Sequence, residues 1–195
     1  GVVTRGAVAA ERVSGGFAGV YRVLSAFEDA GRCRRGYVVE GLGAAQFSLP
    51  GAIDRVRASV PTGRDLDAPP RALVLAATDP ANPYGAALGW PARPEDVASG
   101  HKPGRKAGAL VVLVDGALAL YVERGGRTLL SWTDDEAVLA AAAAELTRAV
   151  KTGALGRLTV TTADGGSVLA PSSALGKALE AAGFVATPQG LRLRA

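Results

Sequence analysis

The sequence predicts an α+β chain, a winged helix-turn-helix followed by a β-barrel-like domain with two helices. Three observations lead there. Residues 1–60 follow the order helix, break, longer helix, hairpin. Residues 61–71 carry three prolines, a glycine and two aspartates, the composition of a linker. Residues 72–132 set short apolar runs between turn signals, and two helical patterns come after them. The expected domains are therefore a winged-helix module at 1–60, a linker at 61–71 and a β-barrel-like α+β domain at 72–195.

In the first domain, Thr4 is placed to cap a short helix over 5–12, and Ser14-Gly15-Gly16 breaks it. A second helix is expected over 17–30. Phe17, Val20, Tyr21, Leu24 and Phe27 recur at helical spacing and predict one apolar stripe. Gly31 supplies the left-handed stop. Residues 32–40 read as a strand, Gly41-Leu42-Gly43 as a turn, 45–50 as the returning strand and 51–59 as a short exit helix. The second helix would enter a major groove and the hairpin would be the wing. Such modules carry one more helix ahead of this pair. That expectation, together with a chain that starts Gly-Val-Val and contains no Met, suggests a piece of a longer protein.

In the second domain, 72–78 is one expected strand. Residues 109–114 and 117–123 form a hairpin about Asp115-Gly116, a strong two-residue turn pair. A strand at 127–132 follows Gly125-Gly126. The helix over 134–151 starts with Asp134-Asp135-Glu136 and ends with Arg148 and Lys151, which complements the helix dipole. Strands at 158–162 and 167–169, a helix at 172–182 stopped by Gly183, and a terminal strand containing Leu191-Arg192-Leu193-Arg194 complete the reading.

Composition narrows the function classes. Hydrophobic residues make up 48% and charged residues 21% of 195, a globular rather than a disordered balance. The single Cys33 excludes an internal disulfide and a Cys-based zinc site. No apolar run reaches membrane-spanning length, so no membrane partner is expected, and a cytoplasmic location fits the lone cysteine. A net charge of +4 favours an anionic partner such as nucleic acid. No G-x-x-x-x-G-K-[ST] run is present, so an ATPase motor does not lie within these residues.

The candidate contacts are basic. Arg32, Arg34 and Arg35 sit between the second helix and the wing, with Tyr37 beyond them. Guanidinium forks suit phosphate oxygens, and the tyrosine ring suits stacking on an unpaired base. Arg22 joins them from the second helix. Lys102, Arg105 and Lys106 form a second basic cluster in a Pro/Gly-rich loop. His101 beside them lacks the neighbours that a triad or a metal site needs. The run from Asp79 to Tyr84 reads as a rigid corner, because two prolines fix its backbone and Asp79 and Asn82 can bond to it, or as a loop whose Asp79 or Tyr84 lines a groove. No residue is assigned a catalytic or metal-binding role.

Several runs carry a resemblance. TDPANPYGAALGWP at 78–91, RKAGA at 105–109 and LYVERGGRTL at 120–129 resemble the terminal stretch of bacterial long-form Lhr-type superfamily 2 DNA helicases. FAGVYRVL at 17–24, EDAGRCRRGY at 28–37 and GAAQF at 43–47 resemble the winged-helix module before it. The resemblance implies an ATP- and Mg-dependent 3′-to-5′ motor elsewhere in the parent chain, with DNA as partner and a role in DNA repair. It implies that this region follows the upstream helicase domains and holds DNA for them; a glycosylase-like module is the alternative reading, and a homo-oligomerisation module a second. It also implies kinship with AlkZ-type DNA glycosylases, whose motif is Gln, an apolar residue, then Gln or Asp. Gln46-Phe47-Ser48 does not match that motif, so no catalytic role carries over to this chain.

Overall fold

The computed structural model describes residues 1–43, 45–59, 69–93 and 100–194. Contacts divide it into two units, Gly1–Asp67 with Pro83–Trp90, and Ala68–Asn82 with Pro91–Ala195. The expected linker at 61–71 falls mostly on residues outside those described. The run Pro83–Trp90 clusters with the first unit.

The first unit runs β1 (Val2–Val3), α1 (Arg5–Ala10), α2 (Gly16–Asp29), β2 (Arg34–Gly36), β3 (Gln46–Ser48) and α3 (Ala52–Ser59). Its three strands pair antiparallel in the order β1-β3-β2. Thr4 caps α1 as expected, its hydroxyl accepting from the Ala7 amide at 3.1 Å. Gly31, at φ +70, closes α2. The Arg32 amide donates to Phe27 O at 2.8 Å and the Gly31 amide to Glu28 O at 2.9 Å, the paired bonds of a Schellman stop.

Besides β1, a strand the sequence reading does not place, two features of this unit differ from it. The expected stripe on α2 is only half-buried, and no α2 residue is fully buried. The wing strands are shorter than 32–40 and 45–50, because a side chain replaces part of the ladder. The Gln46 side chain, 1% exposed, accepts from the amides of Val38 at 3.1 Å and Val39 at 2.7 Å. It donates to the carbonyls of Val39 at 2.9 Å and Gly43 at 2.8 Å. One amide thus satisfies four backbone groups that a longer hairpin would have paired.

The second unit is built on a six-stranded sheet in the order β10-β9-β7-β6-β5-β4. Its strands are β4 (Ala72–Ala76), β5 (Leu110–Val114), β6 (Ala117–Val122), β7 (Thr128–Ser131), β9 (Thr162–Ala163) and β10 (Gly166–Ser167). All pair antiparallel except β7 with β9. Asp115 and Gly116 turn the β5–β6 hairpin at φ +49 and +86, the double positive φ that an Asp-Gly pair favours. A smaller antiparallel sheet holds β8 (Leu158–Val160), β12 (Gly190–Leu193) and β11 (Val185–Thr187), with β12 in the centre.

Two helices cover the core. Helix α4 (Glu136–Lys151) is capped by Asp135, which accepts from the Val138 amide at 3.0 Å. Helix α5 (Ala174–Ala181) is capped by Ser173, which accepts from the Gly176 amide at 2.9 Å. Leu139, Ala142, Ala143, Leu146 and Val150 of α4 bury against Val112, Leu120 and Val122 of the sheet and Leu175 and Leu179 of α5. Alanines on the packed face keep α4 close to the strands. The expected barrel does not close among the described residues. The larger sheet is open, with β10 and β4 at its edges, and α4 covers a sheet face that barrel closure would have turned inward.

Two substitutions test these supports. Gly190 sits at φ +128, and a Cβ there would meet Val160 O at 2.0 Å. Gly190→Ala is expected to cost at least about 2 kcal/mol, read as a lowered denaturation midpoint. Gln46→Leu leaves four backbone groups without their partner and is expected to cost about 2–4 kcal/mol. Its signature is faster amide exchange at Val38 and Val39 while β5 and β6 stay protected.

Candidate nucleic-acid interface

The expected contacts divide into cations that meet solvent and cations that the fold uses internally. Arg22 is exposed on α2, and Arg34 is exposed on β2, opposite Ser48. Among the described residues no carboxylate pairs with either. Tyr37 is 82% exposed on the wing, open to a planar partner. Arg32 lies over the Phe27 ring, 4.7 Å from its centroid, which covers one face of its guanidinium.

Arg35 is held by the fold. Its cross-strand partner is the buried Phe47, so its side chain lies on the core-facing side of the wing. Its guanidinium pairs with Glu28 at 2.9 Å, donates to the Tyr21 hydroxyl, and lies over the Tyr21 and Phe47 rings at 5.6 and 5.8 Å. The Arg35 amide also donates to Glu28 at 2.9 Å. Arg35 therefore joins α2 to the wing and positions Arg34 on the opposite side of the strand. Arg5, which the sequence reading passed over, lies above Phe17 at 5.2 Å. It lines a shallow apolar groove with Tyr21 and Arg22.

In the second unit the loop cluster is also partly occupied. Arg105 donates to the carbonyls of Asn82 at 2.7 Å, Asp79 at 3.0 Å and Thr78 at 3.1 Å. Asn82 is buried and donates to Ala77 O at 2.9 Å, and Asp79 accepts from the Ala81 amide at 2.8 Å. Asp79 and Asn82 thus bond to nearby backbone as their types suggested, and Arg105 ties the turn down. In the first unit, the Tyr84 ring stacks on Trp90, with centroids 6.3 Å apart. Lys102 is exposed.

Lys106 pairs with Glu123 at 2.8 Å, and His101 lies 3.8 Å from the same carboxylate. Burial pushes the Glu123 carboxyl up. The Lys106 hydrogen bond, the Arg124 amide and the charges of Lys106 and His101 outweigh it, so the carboxyl sits below its ordinary 4.5. The hydrogen bond to Glu123 in turn holds the Lys106 ammonium above its ordinary 10.5. Tyr121, beneath this loop, is raised by burial, and its hydroxyl donates to Gly104 O at 3.1 Å.

The pair has a defined pH window. A lowered carboxylate stabilises the fold fully above its unfolded value and loses that contribution as pH falls through the folded one. A raised ammonium does the reverse at the alkaline end. The melting-temperature gap between the unsubstituted chain and Glu123→Gln is expected to be steady between the two ordinary values and to shrink as pH falls below 4.5 through the lowered carboxyl value. A gap that does not shrink on acidification would show that Glu123 acts by packing instead.

Comparison with known proteins places these features. Residues 1–68 match the family model described as "Large helicase-related protein, winged-helix domain". The whole chain is 54% identical over 200 residues to the "Lhr helicase/ probable uracil glycosylase" of Mycolicibacterium smegmatis, of which it spans 13%. Over 98% of its length it is 38% identical to the "Lhr helicase/uracil glycosylase" of Escherichia coli, of which it spans 12%. Among the described residues no helix is long and apolar enough to cross a membrane. Matched by a family-specific winged-helix model at one end and by these relatives along its full length, the chain belongs to the large helicase-related (Lhr) family, as a C-terminal region of it.

Proposed function

We propose that the winged-helix unit holds DNA for a helicase motor located elsewhere in the parent chain. The match of residues 1–68 to the family's winged-helix model carries this reading. The exposed surface supports it: Arg22 on α2 and Arg34 on β2 are open cations, and Tyr37 stands out from the wing. The two arginines meet phosphates, and the ring stacks on a base that unwinding exposes. Arg32 supplies a cation whose direction Phe27 sets, and Lys102 adds a contact from the second unit. Arg35, Arg105 and Lys106 act by shaping the elements that carry the others. The parent motor would consume ATP with Mg, and the module would serve it in DNA repair.

Base excision is the second reading, favoured by the words "uracil glycosylase" in the names of both relatives. Release of uracil from a uracil-containing oligonucleotide by this chain alone would establish it, and an intact oligonucleotide would remove it.

The DNA reading is tested by titrating labelled single- and double-stranded oligonucleotides at several salt concentrations. Arg22→Ala with Arg34→Ala is expected to weaken binding about tenfold and to flatten the log–log salt slope by about 1.5. Tyr37→Ala is expected to weaken single-strand binding selectively, by about 1–3 kcal/mol. Affinity and slope that stay unchanged in the double variant would sink the reading.

A further inference from the structure

The outer face of the small sheet in the second unit carries a cluster of cations that the proposed function does not use. Strand register explains it. Leu191 and Leu193 of β12, with Leu158 and Val160 of β8, point into the core. Arg192 is paired with Thr159 across the β12–β8 ladder, so both face the other way. Arg157 stands two residues before Thr159 and shares its side of the chain. Arg127 reaches the same place from the β6–β7 turn. Its carbonyl accepts from the amides of Thr161 at 2.8 Å and Thr162 at 3.1 Å and from the Thr161 hydroxyl at 3.0 Å, which fixes the turn beside β8.

Together Arg127, Arg157 and Arg192 line a cleft of about 580 Å³ with Thr159, Thr187 and Gln189. No acidic side chain lines it. Arg127 and Arg157 are exposed, and among the described residues none of the three guanidinium groups has a carboxylate partner. Arg192 is half-buried, and its Nε is buried without any hydrogen-bond partner. A buried, unpaired donor on a charged group is costly, and three like charges in one cleft repel one another. Both costs fall when an anion with several acceptor oxygens sits in the cleft. The flanking Thr159 and Gln189 add neutral donors, as phosphate contacts commonly require.

We propose that this cleft is a second phosphodiester-binding site, in which Arg127, Arg157 and Arg192 hold the backbone of a nucleic-acid strand. The cations come from three separate chain segments spread along an open cleft, an arrangement that suits successive phosphates of a polymer. The choice of nucleic acid over another polyanion rests on the DNA reading of the first unit.

The test uses the full 195-residue chain and a labelled single-stranded oligonucleotide, titrated at several salt concentrations. Arg127→Gln with Arg157→Gln changes only exposed side chains. It is expected to weaken binding about tenfold and to flatten the salt slope by about 1.4, two single-strand phosphates at about 0.7 each. In the unsubstituted chain the Arg192 Nε–H resonance, assigned by its loss in Arg192→Lys, is expected to shift on DNA addition. If the Gln pair leaves affinity and slope intact while Arg22→Ala/Arg34→Ala lowers them, the cleft is overturned and the winged-helix reading stands. If the Gln pair alone weakens binding, the cleft stands and the winged-helix reading falls. An Arg192 resonance that stays fixed also overturns the cleft. So does a Gln pair that abolishes binding to phosphatidylserine vesicles but not to DNA.

Discussion

Strands of two to six residues leave many backbone N–H and C=O groups outside any ladder, and each one that is buried must find a partner elsewhere. Side chains meet that demand throughout this chain. Gln46 closes four backbone groups under the wing, and Arg105 gathers three carbonyls at the Asp79–Asn82 corner. Thr147 of α4 donates to Ala182 O at the end of α5 at 3.0 Å. Without them the short elements would expose polar backbone to the core. The wing and the corner are therefore as much side-chain structures as backbone ones.

The same demand redistributes the charge. A count of basic residues treats every Lys and Arg as available to a partner, but backbone carbonyls and internal carboxylates claim several. Arg35 belongs to Glu28 and Tyr21, Arg105 to a turn, Lys106 to Glu123, and Arg93 to Asp164. What remains for an outside anion is a smaller and differently placed set. Screening limits what each exposed cation contributes, so the position of these residues matters more than the net +4.

Local chemistry was the legible part of the sequence. Thr4, Asp135, Gly31 and the Asp115-Gly116 pair act over three or four residues, and each does in the structure what its type suggests. The order of the winged helix followed from such signals. The extent of the wing did not, because Gln46 looks like any polar strand residue until its burial is known. Alternation along a strand puts Arg35 on the side shared with Tyr37. That side turned out to face Phe47, a pairing set by register across the hairpin. Closure of the barrel-like domain, which the described residues do not show, was hard to read for a similar reason. Strand count and turn spacing are readable in one dimension, but whether a sheet closes depends on which face a helix covers. The cleft arginines were the least visible. Arg157 and Arg192 are far apart in sequence and meet only through the β8–β12 register.

If both basic surfaces engage nucleic acid, their contributions to the salt slope of a binding step add only when one strand reaches both. Each phosphate neutralised in that step releases its own counterions, so the slope counts the contacts that one strand makes. Affinity follows the same condition. Two sites on one chain gain over the tighter one only when a single strand can span them, and the gain is set by effective concentration rather than by any new contact. Slope and affinity measured on strands of increasing length therefore tell the two cases apart. Values that stay constant with length would mean separate strands occupy the two surfaces. A joint rise would mean one strand reaches both, because only then do its phosphate contacts and its effective concentration combine.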